Sequence, residues 1–210
     1  MYSPDNSSDV VSDLDGKFTE ALVRATGRAR GDFETLRQEH PDWVAPMFER
    51  TVANIIHERL WQAMRQALDG VADFTFKEAE PVREIVYKVA GTGRTYVLRL
   101  KRHDERDRIS SYPTRTDIQF WAGVVQTFDD FEIVNLAAGY RWDRETREIG
   151  VPVISYREGK SNVVWSYTLE PAAGVGTPIV WNPIVGPSLP NVDLLRASEG
   201  QDEAVGGGGV

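Results

Sequence analysis

The feature that most constrains this chain is a change of hydrophobic period at Gly70. Before it, apolar residues recur every three or four positions; after it, they alternate. A period of 3.6 buries one stripe of a helix and a period of two buries one face of a strand, so the two halves cannot exchange roles. Phe18, Leu22, Ala25, Ala29, Phe33 and Leu36 form the first stripe. Gly16, Gly27 and Gly31 interrupt it, each at a cost of about 1 kcal/mol relative to Ala. That helix is expected to lean on tertiary packing and to bend near Gly27 to Gly31. Pro41 should close it and open a second helix. The second stripe is Phe48, Val52, Ile55, Ile56, Leu60, Met64 and Leu68, and Asp69-Gly70 supplies the glycine that helix ends favour.

Beyond Gly70, residues 85–89 and 95–102 flank Gly91-Thr92-Gly93 and predict a β-hairpin, with 74–76 as a short strand before it. Tyr96, Leu98 and Leu100 point one way, and Val97, Arg99 and Lys101 the other, so one face should be buried and one wet. Residues 103–112 are charged and irregular; Thr114 or Thr116 then caps a short helix through Phe120 and Trp121. Strand-like runs over 132–142, 148–156 and 162–170 complete a meander.

The expected fold is α+β: two long N-terminal helices packed on an antiparallel five- to six-stranded sheet, with an extended C-terminal arm. Residues 1–13 are expected to be disordered, 14–170 to form one domain, and 198–210, acidic and glycine-rich, to be a disordered tail. The apolar, proline-spaced stretch 171–197 cannot be an interior strand, because proline donates nothing to the ladder. It serves as an edge strand or as an arm crossing the domain.

Composition narrows the function classes. With no cysteine, disulfides, thiolate metal sites and a cysteine nucleophile are excluded. A net charge of −8 over 210 residues opposes long-range attraction to nucleic acid. The first residues carry neither the basic flank nor the apolar run of a signal peptide, and no run approaches a membrane span. A soluble cytoplasmic protein without membrane contact is therefore expected.

Catalytic constellations are sparse. His57-Glu58 gives half of a zinc-protease helix, but the second histidine would fall at Trp61. His40 and His103 are the other histidines, and no cofactor or metal is expected. There is no Gly-x-Ser-x-Gly elbow, and Gly91-Thr92-Gly93 lacks the residues of a phosphate loop. Asp73, Glu84 and Lys88 are candidates for a metal-dependent nuclease, yet the acid such a site needs two positions before the lysine is Val86. An enzyme is not the favoured reading.

Two patterns suggest recognition instead. Arg94, Arg99, Lys101, Arg102 and Arg106, followed by Arg108 and Arg115, concentrate positive charge in an acidic chain. Such a cluster suits an acidic protein partner or a phosphate backbone, although Asp104, Glu105 and Asp107 interleave and would also make a plain solvated face. Tyr140, Trp142 and Trp165, with Trp121, Tyr156 and Tyr167, crowd the meander as core pairs or as a concave partner surface. The uncharged segment 177–185, with Trp181 at its centre, should dock on its own domain or on a neighbour.

The run from Thr114 through Gln119, then Asn135-Leu136-Ala137-Ala138-Gly139-Tyr140, the acidic turn over 143–148 and Val164-Trp165-Ser166-Tyr167 resembles a family of uncharacterised bacterial and prophage proteins. Those are often encoded near helix-turn-helix regulators. The resemblance covers the last third of the expected domain and carries no catalytic residues. It implies a regulatory or phage-associated setting in which the product meets another protein, though this chain has no evident DNA-reading helix. The expectation is a non-enzymatic interaction or regulatory module, antitoxin-like or accessory to a regulator, that forms a homodimer or binds a protein partner. The alternative is a nucleic-acid binder or metal-dependent nuclease using the basic strand face.

Overall fold

The computed structural model describes residues 3–79, 82–110, 114–122, 126–128, 131–159, 161–169 and 181–185; for 15, 126–128, 131 and 181–185 the backbone alone is described. Four helices come first: α1 (Ser7–Asp13), α2 (Asp15–Glu39), α3 (Pro41–Val44) and α4 (Glu49–Ala67). Strands β1 (Phe74–Ala79), β2 (Val82–Lys88) and β3 (Arg94–His103) follow, then α5 (Arg115–Phe120). The chain continues through β4 (Gln126–Phe128), β5 (Phe131–Asp143), β6 (Glu148–Glu158), β7 (Asn162–Leu169) and β8 (Trp181–Val185).

The helical period at the N-terminus is realised as written. Phe18, Leu22, Ala25, Ala29 and Phe33 of α2 are buried against Val52, Ile56, Leu60 and Met64 of α4, in one core with the sheet. The stripe holds through two full helices because each presents its apolar face to the same neighbour. α2 is one unbroken helix across Gly27 and Gly31, whose sites are exposed and have open space where a Cβ would sit. Gly27→Ala and Gly31→Ala should therefore each stabilise the protein by roughly 0.5–1 kcal/mol, read as a higher midpoint in urea.

Two N-terminal expectations change. Residues 7–13 are not frayed but form α1, capped by Asn6, whose side chain accepts from Ser8 N at 3.1 Å. Val10 and Leu14 are fully buried, which supplies the packing a short helix needs. Phe48 leaves the stripe: it caps α4 in an extended conformation and is 82% exposed. A short α3 after Pro41 takes up the chain before α4 starts at Glu49.

The sheet runs β1-β2-β3-β5-β6-β7-β8, with β4 paired to β5 beside that path. Its neighbours are antiparallel except β3 and β5, which run parallel from Arg94 opposite Glu132 to His103 opposite Arg141. The sheet is thus mixed, which corrects the expectation of a wholly antiparallel one. The connection between β3 and β5 is long enough to return the chain along the far face, as parallel pairing requires. Gly91 and Gly93 turn the β2–β3 hairpin, both at positive φ, where glycine carries no Cβ penalty. At the other side β8 pairs with β7 and places Pro183 opposite Tyr167, in the edge position a proline tolerates. The rest of the 171–197 arm and the 198–210 tail lie outside the described residues. Among the described residues no helix is long and apolar enough to cross a membrane.

Helices α1 to α4 cover one face of the sheet and α5, with the 104–110 loop, covers the other. The alternation in β3 decides which side chain goes where. Tyr96, Leu98 and Leu100 join the helical core, while Val97 packs with Ile109, Phe120, Trp121 and Ala137 on the far side.

Candidate functional site

Two of the basic residues, Arg99 and Lys101, do share the outer face of β3, but α5 lies over them. Arg99 is 6% exposed, donates to Glu84 at 2.8 and 3.1 Å and to Asp117 at 3.1 Å, and stacks 3.6 Å from the Phe120 ring centroid. Lys101 lies 4.0 Å from the Asp117 carboxylate and 5.8 Å from the Trp121 centroid. Burial draws its pKa down, and Asp117 pulls the other way. Asp117 is held for this by the N-terminus of α5, where the Thr114 hydroxyl accepts from its amide at 3.1 Å. The expected wet face is therefore a closed ion-pair layer. Its acidic members, Glu84 and Asp117, lie far apart in the sequence, so no local pattern announced them.

Arg94 and Arg102 point to the opposite face, as their even positions require. Arg94 pairs with Asp13 at the end of α1, which also accepts from Tyr96 Oη at 2.7 Å. Arg102 donates to Glu49 at 2.9 Å and lies 5.5 Å from the Trp142 ring centroid. Arg106 differs from these four: its guanidinium is exposed and has no ion pair or hydrogen bond among the described residues.

The aromatic residues divide similarly. Tyr140, Trp142 and Trp165 are at most 4% exposed and belong to the core under the helices. Trp165 Nε1 donates to Pro4 O at 2.9 Å, whereas Trp142 Nε1 is buried without a partner among the described residues. The side chain of Trp181 lies outside the described residues.

Behind the sheet a polar network forms that sequence reasoning did not anticipate. The loop after β3 returns to pair Ile109 with His103 and sets Asp107 over β5, β6 and β7. Asp107 is 4% exposed. Its carboxylate accepts from Arg141 at 2.8, 3.0 and 3.1 Å and from Ser166 at 2.7 Å, and its carbonyl accepts from Arg157. Arg157 also donates to Ser155 Oγ at 3.1 Å, which lies 3.0 Å from His103 Nε2. The Ser155 hydroxyl, with one proton and two lone pairs, can accept from Arg157 and still either donate to or accept from the imidazole.

A serine beside a histidine invites comparison with a nucleophile. The surroundings argue otherwise. Burial, and then the Arg157 charge, hold the His103 pKa down at about 3, and Nδ1 finds no carboxylate and no well-formed hydrogen bond despite nearby carbonyls. A catalytic base is supported by an acid and reaches substrate; Ser155 and His103 are both fully buried. The pair works as a strut that anchors the 104–110 loop. Of Asp73, Glu84 and Lys88, the first and last are cross-strand neighbours, Lys88 N donating to Asp73 O at 3.1 Å, while the Glu84 carboxylate is paired with Arg99. Among the described residues no group of three His, Asp and Glu could hold a metal ion.

Beside the anchored loop opens a cleft of about 800 Å³, lined among others by Glu49, Arg102, His103, Asp104, Glu105, Arg106, Arg108, Trp142 and Arg144. Two of its arginines are answered internally, Arg102 by Glu49 and Arg108 by Asp104 at 2.7 Å. Arg106 and Arg144 are exposed and have no ion pair among the described residues. Against Glu105 they leave the lining with net positive charge. Of the sequence-predicted basic residues, Arg102, Arg106 and Arg108 meet here, joined by Trp142 from the aromatic set; Arg94, Arg99, Lys101 and Arg115 do not. Arg144 was missed because it lies in the acidic turn after β5, and only the fold brings it to the loop after β3. No family model, curated protein or solved structure matches the chain.

Proposed function

We propose that the protein is a non-enzymatic interaction module that holds an acidic segment of a partner protein in the cleft beside the 104–110 loop. The setting is the regulatory or phage-associated one implied by the sequence resemblance. The observation that carries this reading is the pair Arg106 and Arg144, two exposed guanidiniums without ion-pair partners among the described residues, on one cleft of a chain whose net charge is −8. The other two arginines of the cleft lining, Arg102 and Arg108, are each paired with an acid. A positive rim in a negative molecule steers acidic ligands to one place and repels them elsewhere. The anchored loop supports the reading too, since Asp104 accepts from the amides of Arg106 and Arg108 at 2.9 and 2.8 Å and so fixes where Arg106 starts.

A fluorescence-polarisation titration tests this with a short oligoglutamate peptide and, separately, a DNA oligonucleotide of equal charge. The peptide should bind, and Arg106→Glu with Arg144→Glu should weaken it by about tenfold or more, since each exposed pair contributes up to ~1 kcal/mol and reversal adds repulsion. Binding that ignores the double reversal removes the reading. Preference for the oligonucleotide, lost in the same variant, replaces the protein partner with nucleic acid.

A further inference from the structure

Donors outnumber acceptors around this cleft. Among the described residues Trp142 Nε1 is buried without a partner, and Arg106 and Arg144 have no ion pair. Beside them sits Glu49, the first residue of α4, whose carboxylate lies 2.9 Å from Arg102 Nη1 and 3.4 Å from Arg147 Nε. The two arginines are not equally mobile. Arg147, in the turn after β5, donates to the carbonyls of Val44, Ala45 and Met47 and is fixed to the end of α3. Among the described residues the one polar partner of Arg102 is Glu49, and both line the cleft. Glu49 is 36% exposed, so its carboxylate can turn to water at little desolvation cost.

Resting on the reading above, we infer that the cleft is an oxyanion site in which Glu49 is a built-in competitor. A carboxylate or phosphoryl group of the partner takes Arg102 from Glu49 and is held between Arg102, Arg106 and Arg144. Guanidinium recognises either group through paired N–H donors, which is the chemistry Arg102 already performs on Glu49. Glu49 thereby sets the affinity: it keeps Arg102 pointed at the cleft and charges any incoming anion the loss of one ion pair.

The test is a two-by-two set in the full chain: wild type, Glu49→Gln, Arg102→Gln and the double variant, each titrated with the oligoglutamate peptide and with the same peptide carrying phosphoserines. Glu49→Gln should tighten binding by about threefold to tenfold, the worth of one partly exposed ion pair. The gain should vanish in the Arg102→Gln background. Circular dichroism on each variant checks that α4 keeps its start. The phosphoserine arm tells which oxyanion the site prefers. Unchanged or weaker binding in Glu49→Gln, while the Arg106/Arg144 reversal still abolishes binding, overturns the competitor role and leaves the partner reading standing. If neither set of variants changes binding, or if no variant binds either peptide, both fall together.

Discussion

Asp107→Ala should destabilise the protein by about 3–5 kcal/mol, the usual loss when one member of a buried charge network is removed. The carboxylate is buried and answers Arg141 directly, with Ser166 on its second oxygen. Without it, Arg141 loses its ion-pair partner and faces a polar layer that contains Arg157 and His103. Arg157 is 1% exposed, and burial lowers its pKa to about 10 even with Asp107 opposing that shift. The backbone compounds the loss, since Asp107 sits at φ 56, where alanine is strained. Asp107→Asn keeps the conformational tolerance and one acceptor, so it should cost less, about 1–3 kcal/mol. Urea denaturation of both variants reads the difference. A loss below ~1 kcal/mol for Asp107→Ala would mean that water, rather than the carboxylate, satisfies the arginines. Against a typical total of 5–15 kcal/mol, the expected loss consumes a large share of the molecule's stability.

Gly139→Ala should be worse still. A Cβ there runs into the carbonyl of Lys101 on the neighbouring parallel strand, and neither group is a side chain that can turn aside. β3 and β5 would have to part along the longest pairing in the sheet, from Arg94 to His103. The expected penalty exceeds about 4 kcal/mol, in the range reserved for severe backbone conflict, and the variant should be recovered mainly as insoluble or unfolded protein. Gly150, whose Cβ would approach the Arg141 carbonyl at 2.9 Å, should tolerate alanine better because the overlap is smaller. The same substitution at Gly27 carries the opposite sign. Native-like melting of Gly139→Ala would show that the sheet can shift to absorb the methyl.

Much of the fold was legible because it depends on period. The stripes of α2 and α4, the β2–β3 hairpin, the Thr114 cap and the three strands β5 to β7 all follow from spacings within a short window. α1 was not, since only Val10 and Leu14 mark it and their burial depends on residues far along the chain. The parallel pairing escaped for a related reason. Alternation says which face a side chain takes; it carries no information on the direction of the strand beside it.

The site divides along the same line. Arg102 and Arg106 were legible as charge in an acidic chain, and Trp142 as an aromatic in a strand. Arg94, Arg99 and Lys101 looked equivalent to them. Each acquired an acid from elsewhere, Asp13 at the end of α1, Glu84 on β2 or Asp117 on α5.

The chain by itself determined which residues of α2, α4 and β3 share a face, because that follows a local repeat. Tertiary structure alone decided which charges remain unanswered. An ion pair needs two side chains within about 4 Å, and that distance is set by how helices, sheet and loop pack, not by neighbours in the sequence. Arg106 and Arg144 come to line one cleft only once that packing has formed.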